Sequence, residues 1–152
     1  MTFMMMMMLC QAAPATPLRL ADLPAAVQKA VEKETQAGAK IEKIKTEKVT
    51  LPSGREETGY EVEFELKDQE REIVYAASGE VLQIEEEISW KQVPAAAQRA
   101  IQAAAKGGKL RKTDRLQRQG QVLYEAELEI GGKRSSQLFT AAGQPVPKPS
   151  GK

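Results

Sequence analysis

Leu23-Pro24-Ala25-Ala26-Val27-Gln28-Lys29-Ala30-Val31 is matched further along the chain by Val93-Pro94-Ala95-Ala96-Ala97-Gln98-Arg99-Ala100-Ile101, so that Pro24 maps onto Pro94, a shift of 70 positions. A second pair follows in the same order. Tyr60-Glu61-Val62-Glu63-Phe64-Glu65-Leu66 aligns with Tyr124-Glu125-Ala126-Glu127-Leu128-Glu129-Ile130 at a shift of 64, and Tyr75 to Gly79 aligns with Phe139 to Gly143 at that same shift. Three ordered matches mark an internal duplication, the sequence signature of a unit used twice. The two shifts differ because the first copy carries an extra turn, Leu51-Pro52-Ser53-Gly54, and surface turns absorb length changes at small entropic cost.

Each copy predicts a helix followed by strands. Leu23, Val27, Ala30 and Val31 recur at helical spacing, Asp22 stands where a cap would, Pro24 fits a first turn, and Gly38 supplies a left-handed end. Val93, Ala97, Ala100, Ile101 and Ala104 repeat the stripe ahead of Gly107 and Gly108. Both stripes are one-sided and need a sheet to cover them. Tyr60, Val62, Phe64 and Leu66 alternate with Glu61, Glu63 and Glu65, the period of a strand with one buried and one wet face. Turns at Lys67-Asp68 and at Gly131-Gly132 lead into the next strands, and Ser78-Gly79 turns the chain again into Val81 to Ile84, which together read as an antiparallel meander. The strand before Tyr60, around Ile41 to Val49, has apolar residues three apart at Ile41 and Ile44, so a bulge or a late start is expected there.

The predicted architecture is therefore α+β: two tandem helix-plus-antiparallel-sheet units of order α-β-β-β-β, residues 20–88 and 89–146, the second with a truncated last strand. A unit of that size is marginal alone, so the copies should support each other. Ile88 to Gln92 leave no flexible linker, and Trp90 is read as an apolar filler at the junction. Pro147-Lys148-Pro149-Ser150-Gly151-Lys152 cannot continue a strand, and 147–152 is expected to be a disordered tail.

At the other end, residues 1–15 look like a signal peptide: Phe3, Met4 to Met8 and Leu9 form an apolar run, followed by Ala12, Ala13, Pro14 and Ala15. The run is too short to span a bilayer. The expected location is periplasmic or secreted, with Cys10 read as lost with the leader in preference to serving as a lipoprotein attachment site. The mature chain would have no transmembrane span and no disulfide.

Composition narrows the chemistry. Lys plus Arg number 22 and Asp plus Glu 21, so the net charge of +1 draws the chain neither to nucleic acid nor to an anionic membrane. With no histidine and one cysteine in 152 residues, the usual general base and nucleophile are missing, and no catalytic role, cofactor or metal is assigned. Glu61, Glu63 and Glu65 are expected to share one flat, solvated sheet face, which would not split their pKa values as acid–base work requires. They also lack the Asp/Asn-rich loop that wraps calcium.

Lys106, Lys109, Arg111, Lys112, Arg115 and Arg118 form a basic stripe, with Lys40, Lys43, Lys45 and Lys48 at the corresponding stretch of the first copy. Because the next strand of each copy carries alternating glutamates, a cross-strand charge ladder accounts for both, at about 0.2–1 kcal/mol per opposite pair. No aromatic residues interleave with the basic ones, as a nucleic-acid surface would ask. The sheet faces bearing Lys43, Lys45, Glu61, Glu63 and Glu65 and, in the second copy, Lys112, Glu125, Glu127 and Glu129, are the candidate surface for a protein partner. The alternative is an envelope structural or sensory module binding a polyanion or a cation at the basic stripe.

The Leu-Pro-x-x-Val helix, the glycine break, the Tyr-Glu-Val-Glu-Phe strand and the aromatic-Ala-x-x-Gly-x-Val hairpin, all occurring twice between Leu20 and Val146, resemble the PepSY-like proteins related to the beta-lactamase inhibitor protein fold. The resemblance implies an exported, non-catalytic protein of two tandem units in a family associated with protein binding and with regulation or inhibition of secreted peptidases. It carries no catalytic residues. The chain departs from the inhibitor protein in lacking the cysteines that stabilise it.

Overall fold

The element order runs twice, as the sequence predicts. A computed structural model describes residues 17–147; the leader-like segment, Cys10 and the tail from Lys148 onward lie outside the described residues. A 3-10 turn at Leu20–Asp22 leads into α1 (Ala25–Gln36), then β1 (Lys40–Thr50), β2 (Glu56–Leu66), β3 (Gln69–Tyr75) and β4 (Val81–Glu87). A second 3-10 turn at Trp90–Gln92 leads into α2 (Ala95–Ala105), β5 (Lys109–Arg118), β6 (Gln121–Ile130), β7 (Lys133–Thr140) and the two-residue β8 (Pro145–Val146), the truncated strand. All eight strands join one antiparallel sheet in the order β1 to β8. The sheets of the two units join as a single layer, because β4 pairs with β5 through Ile84↔Gln117 to Glu87↔Asp114.

Directly opposed residues point to the same side of a sheet, so the ladders assign faces. Ile44, Val62, Ile73 and Ile84 form one row, which continues through Gln117 to Val122. This is the face that both helices cover. Val27 and Val31 of α1 pack on Ile44, Val62, Phe64, Ile73 and Tyr75, while Ala97, Ile101 and Ala105 of α2 pack on Ala126, Leu128 and Phe139. Trp90, read from the sequence as a filler between the copies, lies against the second of these cores. Burying a Val or Leu side chain contributes about 1.5–3 kcal/mol, so these two stripes dominate the energetics that hold the layers together.

Between the helices the same face is polar but closed. Arg71 reaches Glu34 of α1 at 3.0 Å and Glu86 at 3.1 Å, and Glu86 in turn accepts from Arg115 of β5 at 2.7 Å. The junction is also pinned in the backbone: Ile88 N–H donates to Thr113 C=O at 2.9 Å, and Thr113 Oγ1 donates to Ile88 C=O at 2.8 Å. Thr113 is buried, so this hydroxyl satisfies a carbonyl that water does not reach.

Three local expectations change. Asp22 does not cap α1: Pro24 occupies the cap position without a side-chain bond, and Asp22 closes the preceding 3-10 turn by accepting from Arg19 N–H and its guanidinium. In the second copy it is Lys106, at φ 48°, that adopts the left-handed end of α2, ahead of Gly107. The turn Leu51 to Gly54 is not merely a surface insertion, because Leu51 is buried with Val49, Val74, Ala76 and Leu82. The irregularity anticipated near Ile41 is a register shift between Ile41 and Lys43, and β5 repeats it between Leu110 and Lys112. The Lys67-Asp68 hairpin has both residues at positive φ, 53° and 62°, the geometry that suits the right-handed twist of its strands.

Candidate protein-binding face

The other side of the sheet carries no helix among the described residues. All nine residues anticipated from the sequence are on it. Lys43 stands opposite Glu63 and Lys45 opposite Glu61 on β1 and β2, with Glu65 opposite Lys40. On β5 and β6, Lys112 stands opposite Glu127 and Lys109 opposite Glu129, and Glu125 faces Asp114. The structure brings these two sets onto one continuous surface, because β3 and β4 lie between them in the same sheet.

The first ladder forms as read. Lys43 Nζ lies 3.2 Å from Glu63 Oε1, and Lys45 Nζ lies 2.7 Å from Glu61 Oε1 and 3.9 Å from Glu63 Oε1. The second does not repeat it. Lys112 Nζ turns to Asp114 at 3.1 Å and to Glu70 of β3 at 3.5 Å, so it links the two halves. The reason is a change of charge at one position: Asp114 stands on β5 where Lys45 stands on β1, each opposite the first glutamate of its Tyr-Glu strand.

The glutamates are not alike, contrary to the expectation of a flat wet face. Glu61 is 4% exposed and Asp114 5%, whereas Glu63 and Glu65 are half-buried. With no helix of the described residues above them, it is neighbouring side chains that shield them. Glu72 and Glu85, which the sequence reading passed over, sit at the middle of the sheet directly opposite one another. Burial, then the charges of Glu61 and Glu63, push the Glu72 carboxyl up to about 7. Burial, then Glu72, Glu125 and Asp114, push Glu85 up to about 8. Burial also raises Asp114. Lys112 is drawn down by burial but held up overall, at about 12, by Asp114, Glu70 and Glu85. The signal for Glu72 was present in the alternation Glu70-Arg71-Glu72; what it faced was not.

The basic stripe is dispersed. Lys109, Lys112 and Arg118 belong to the open face by register, Arg111 at the bulge reaches Glu129, Arg115 points to the helix side and binds Glu86, and Lys106 ends α2. Oxygens of Glu61, Glu63 and Glu72 converge within 4.8 Å of one another, an arrangement that could hold a cation. The ammonium of Lys45 already sits against two of the three carboxylates. A hollow of about 550 Å³ lined by Glu42, Lys43, Glu63, Glu65, Asp68 and Glu70 opens at one end of the face. A more apolar one of about 310 Å³ lies at the far end of α2, against Trp90, Ile101, Ala105 and Leu110.

Solved structures share this fold. A protein of Bacteroides eggerthii, provisionally assigned to the periplasm, matches with a TM-score of 0.62 at 17% identity, over 82% of this chain and 86% of its own. A DUF2874 family protein of Bacteroides uniformis matches with a TM-score of 0.59 at 18% identity, over 82% and 86%. A BLIP-like protein of Bacteroides fragilis matches with a TM-score of 0.54 at 19% identity, over 82% and 83%. No family model matches the chain, and no curated protein matches it. The fold is accordingly the BLIP-like, helix-on-antiparallel-sheet fold that the repeated motifs resemble. No helix among the described residues is long and apolar enough to cross a membrane.

Proposed function

We propose that this chain is an exported, non-catalytic binding protein of two tandem units, 20–88 and 89–146, whose open sheet face receives a protein partner, with a secreted or periplasmic enzyme such as a peptidase as the target it regulates or inhibits. One observation carries the reading. Charged side chains from β1 to β6 are assembled on a surface that no helix of the described chain covers, whereas both helices press their apolar stripes on the opposite side of the same sheet. Export is supported by the leader-like residues 1–15 and by the periplasmic assignment of one protein of the same fold. Partner binding is supported by the BLIP-like neighbour. The absence of histidine from the sequence supports a non-catalytic role, and neither of the two hollows is lined by Glu72 or Glu85, the two carboxyls with the most raised pKa.

Site-specific photo-crosslinking tests the face. A photoreactive residue at Glu70, exposed on the open side, should capture one discrete protein in cells producing the full chain, and the same probe at Lys29 on the outer surface of α1 should not. If the captured protein is a peptidase, adding the purified chain should lower its turnover. Capture from Lys29 alone, or equally from both positions, would remove the face from consideration. The alternative polyanion reading predicts heparin binding that weakens steeply with salt; the dispersal of the basic stripe and the carboxylates among it speak against that outcome.

A further inference from the structure

The open face places carboxylates directly opposite carboxylates at five rungs: Glu65↔Glu70, Glu63↔Glu72, Glu72↔Glu85, Glu87↔Asp114 and Asp114↔Glu125. Like charges directly opposite destabilise an antiparallel pair, so each rung acts against the fold that carries it. The arrangement is concentrated. On β2, β3 and β4 every ionisable residue of this face is acidic, namely Glu57, Glu61, Glu63, Glu65, Glu70, Glu72, Glu85 and Glu87; Arg71 belongs to the helix side. Cations reach in from the flanking strands, Lys43 and Lys45 from β1, and Lys112 and Arg118 from β5, where Arg118 donates to Gln83 of β4. The lysines contact Glu61, Glu63, Glu70 and Asp114, and among the described residues no cation lies within ion-pair distance of Glu72 or Glu85.

We infer that the partner of this face presents a polypeptide segment bearing Lys or Arg side chains, which lies across the carboxylates of Glu63, Glu72, Glu85 and Glu87. The inference rests on the reading of the open face as a partner surface and names the chemistry of what docks there. Size separates this occupant from a metal ion. Strands stand about 4.8 Å apart, so the span from β2 to β4 is about 10 Å, whereas a hard cation holds its oxygens at about 2.3–2.6 Å. One ion cannot neutralise a row of that length; successive side chains of an extended segment can. Sign separates it from a nucleic acid, which the row would repel. An arriving guanidinium or ammonium also favours the ionised form of carboxyls that burial and their neighbours hold partly protonated, so that the unfavourable rungs become favourable contacts only in the complex.

The test uses the full chain and a fluorescein-labelled octapeptide of alternating Arg and Ser, titrated by anisotropy near neutral pH at low and at physiological ionic strength. The wild type should bind it saturably, with Glu72→Gln/Glu85→Gln about tenfold weaker and the helix- and turn-side control Glu32→Gln/Glu80→Gln unchanged. Thermal melting of the variant confirms that it is folded. Equal affinity of the wild type and Glu72→Gln/Glu85→Gln, equal binding of a Glu-Ser peptide, or displacement of the Arg-Ser peptide by calcium at matched charge would each overturn the inference. Crosslinking from Glu70 without any binding of the Arg-Ser peptide overturns the cationic occupant and leaves the partner face standing; loss of both removes the face itself.

Discussion

Lys45 Nζ lies 2.7 Å from Glu61 Oε1, on a side of the sheet that no helix of the described chain covers and where Glu61 is nevertheless 4% exposed. The pair is asymmetric, since Lys45 remains 41% exposed along its side chain. Removing the lysine would leave a carboxylate without its nearest counter-charge in a place that water barely reaches. Lys45→Met should therefore cost about 1–3 kcal/mol in urea unfolding. Adding Glu61→Gln to it should recover most of the loss, and a double-mutant cycle measures the coupling. Additive effects would show that the contact contributes nothing.

Stability should fall as pH rises through the neutral range. Both Glu85, near 8, and Glu72, near 7, stand above the ordinary carboxyl value of 4.5, so the folded chain holds protons that the unfolded chain has released. Their contribution is complete below about pH 4.5 and is lost as pH passes through about 7–8. The groups facing them act in both directions: Glu61, Glu63, Glu125 and Asp114 raise these values, and Lys45 and Lys112 lower them. Urea midpoints should be lower at about pH 8.5 than at about pH 6, and Glu85→Gln should flatten that difference while adding about 1–2 kcal/mol at the higher pH, allowing for partial solvent screening. A pH profile identical to wild type would contradict the placement of Glu85.

Two equivalent turns press on the two helices. Gly79 and Gly143 adopt φ of 84° and 81°, and a Cβ would fall 2.6 Å from the Ala26 carbonyl oxygen in the first case and 2.5 Å from that of Ala96 in the second. Ala at either position meets helix backbone, which cannot move aside as a side-chain tip can. Gly79→Ala and Gly143→Ala should each cost about 2–4 kcal/mol, whereas Gly120→Ala, at a similar φ but with open space around it, should cost about 1 kcal/mol. Equal losses at all three, measured by chemical denaturation, would mean that the turns do not bear on the helices.

The sequence alone determined which residues form helix and strand and which side of each faces the core, because those are properties of period. Val27 and Val31 at helical spacing, and Val62 and Phe64 at alternate positions, could bury themselves in only one way. The nine candidate face residues followed for the same reason, as the positions that alternate with those under the helices. The bulge near Ile41 was legible too, since Ile41 and Ile44 stand three apart and so break the two-residue alternation of a strand. What tertiary structure decided was who stands opposite whom. Strand pairing is a relation between distant segments, and nothing local to Glu72 or Glu85 says that each will face the other, that Asp114 will meet Glu87 and Glu125, or that β4 and β5 will close two half-sheets into one. The charge ladder between β1 and β2 was read correctly from one pair of strands; the carboxylate row arises on the far side of β2, where register and not composition sets the electrostatics.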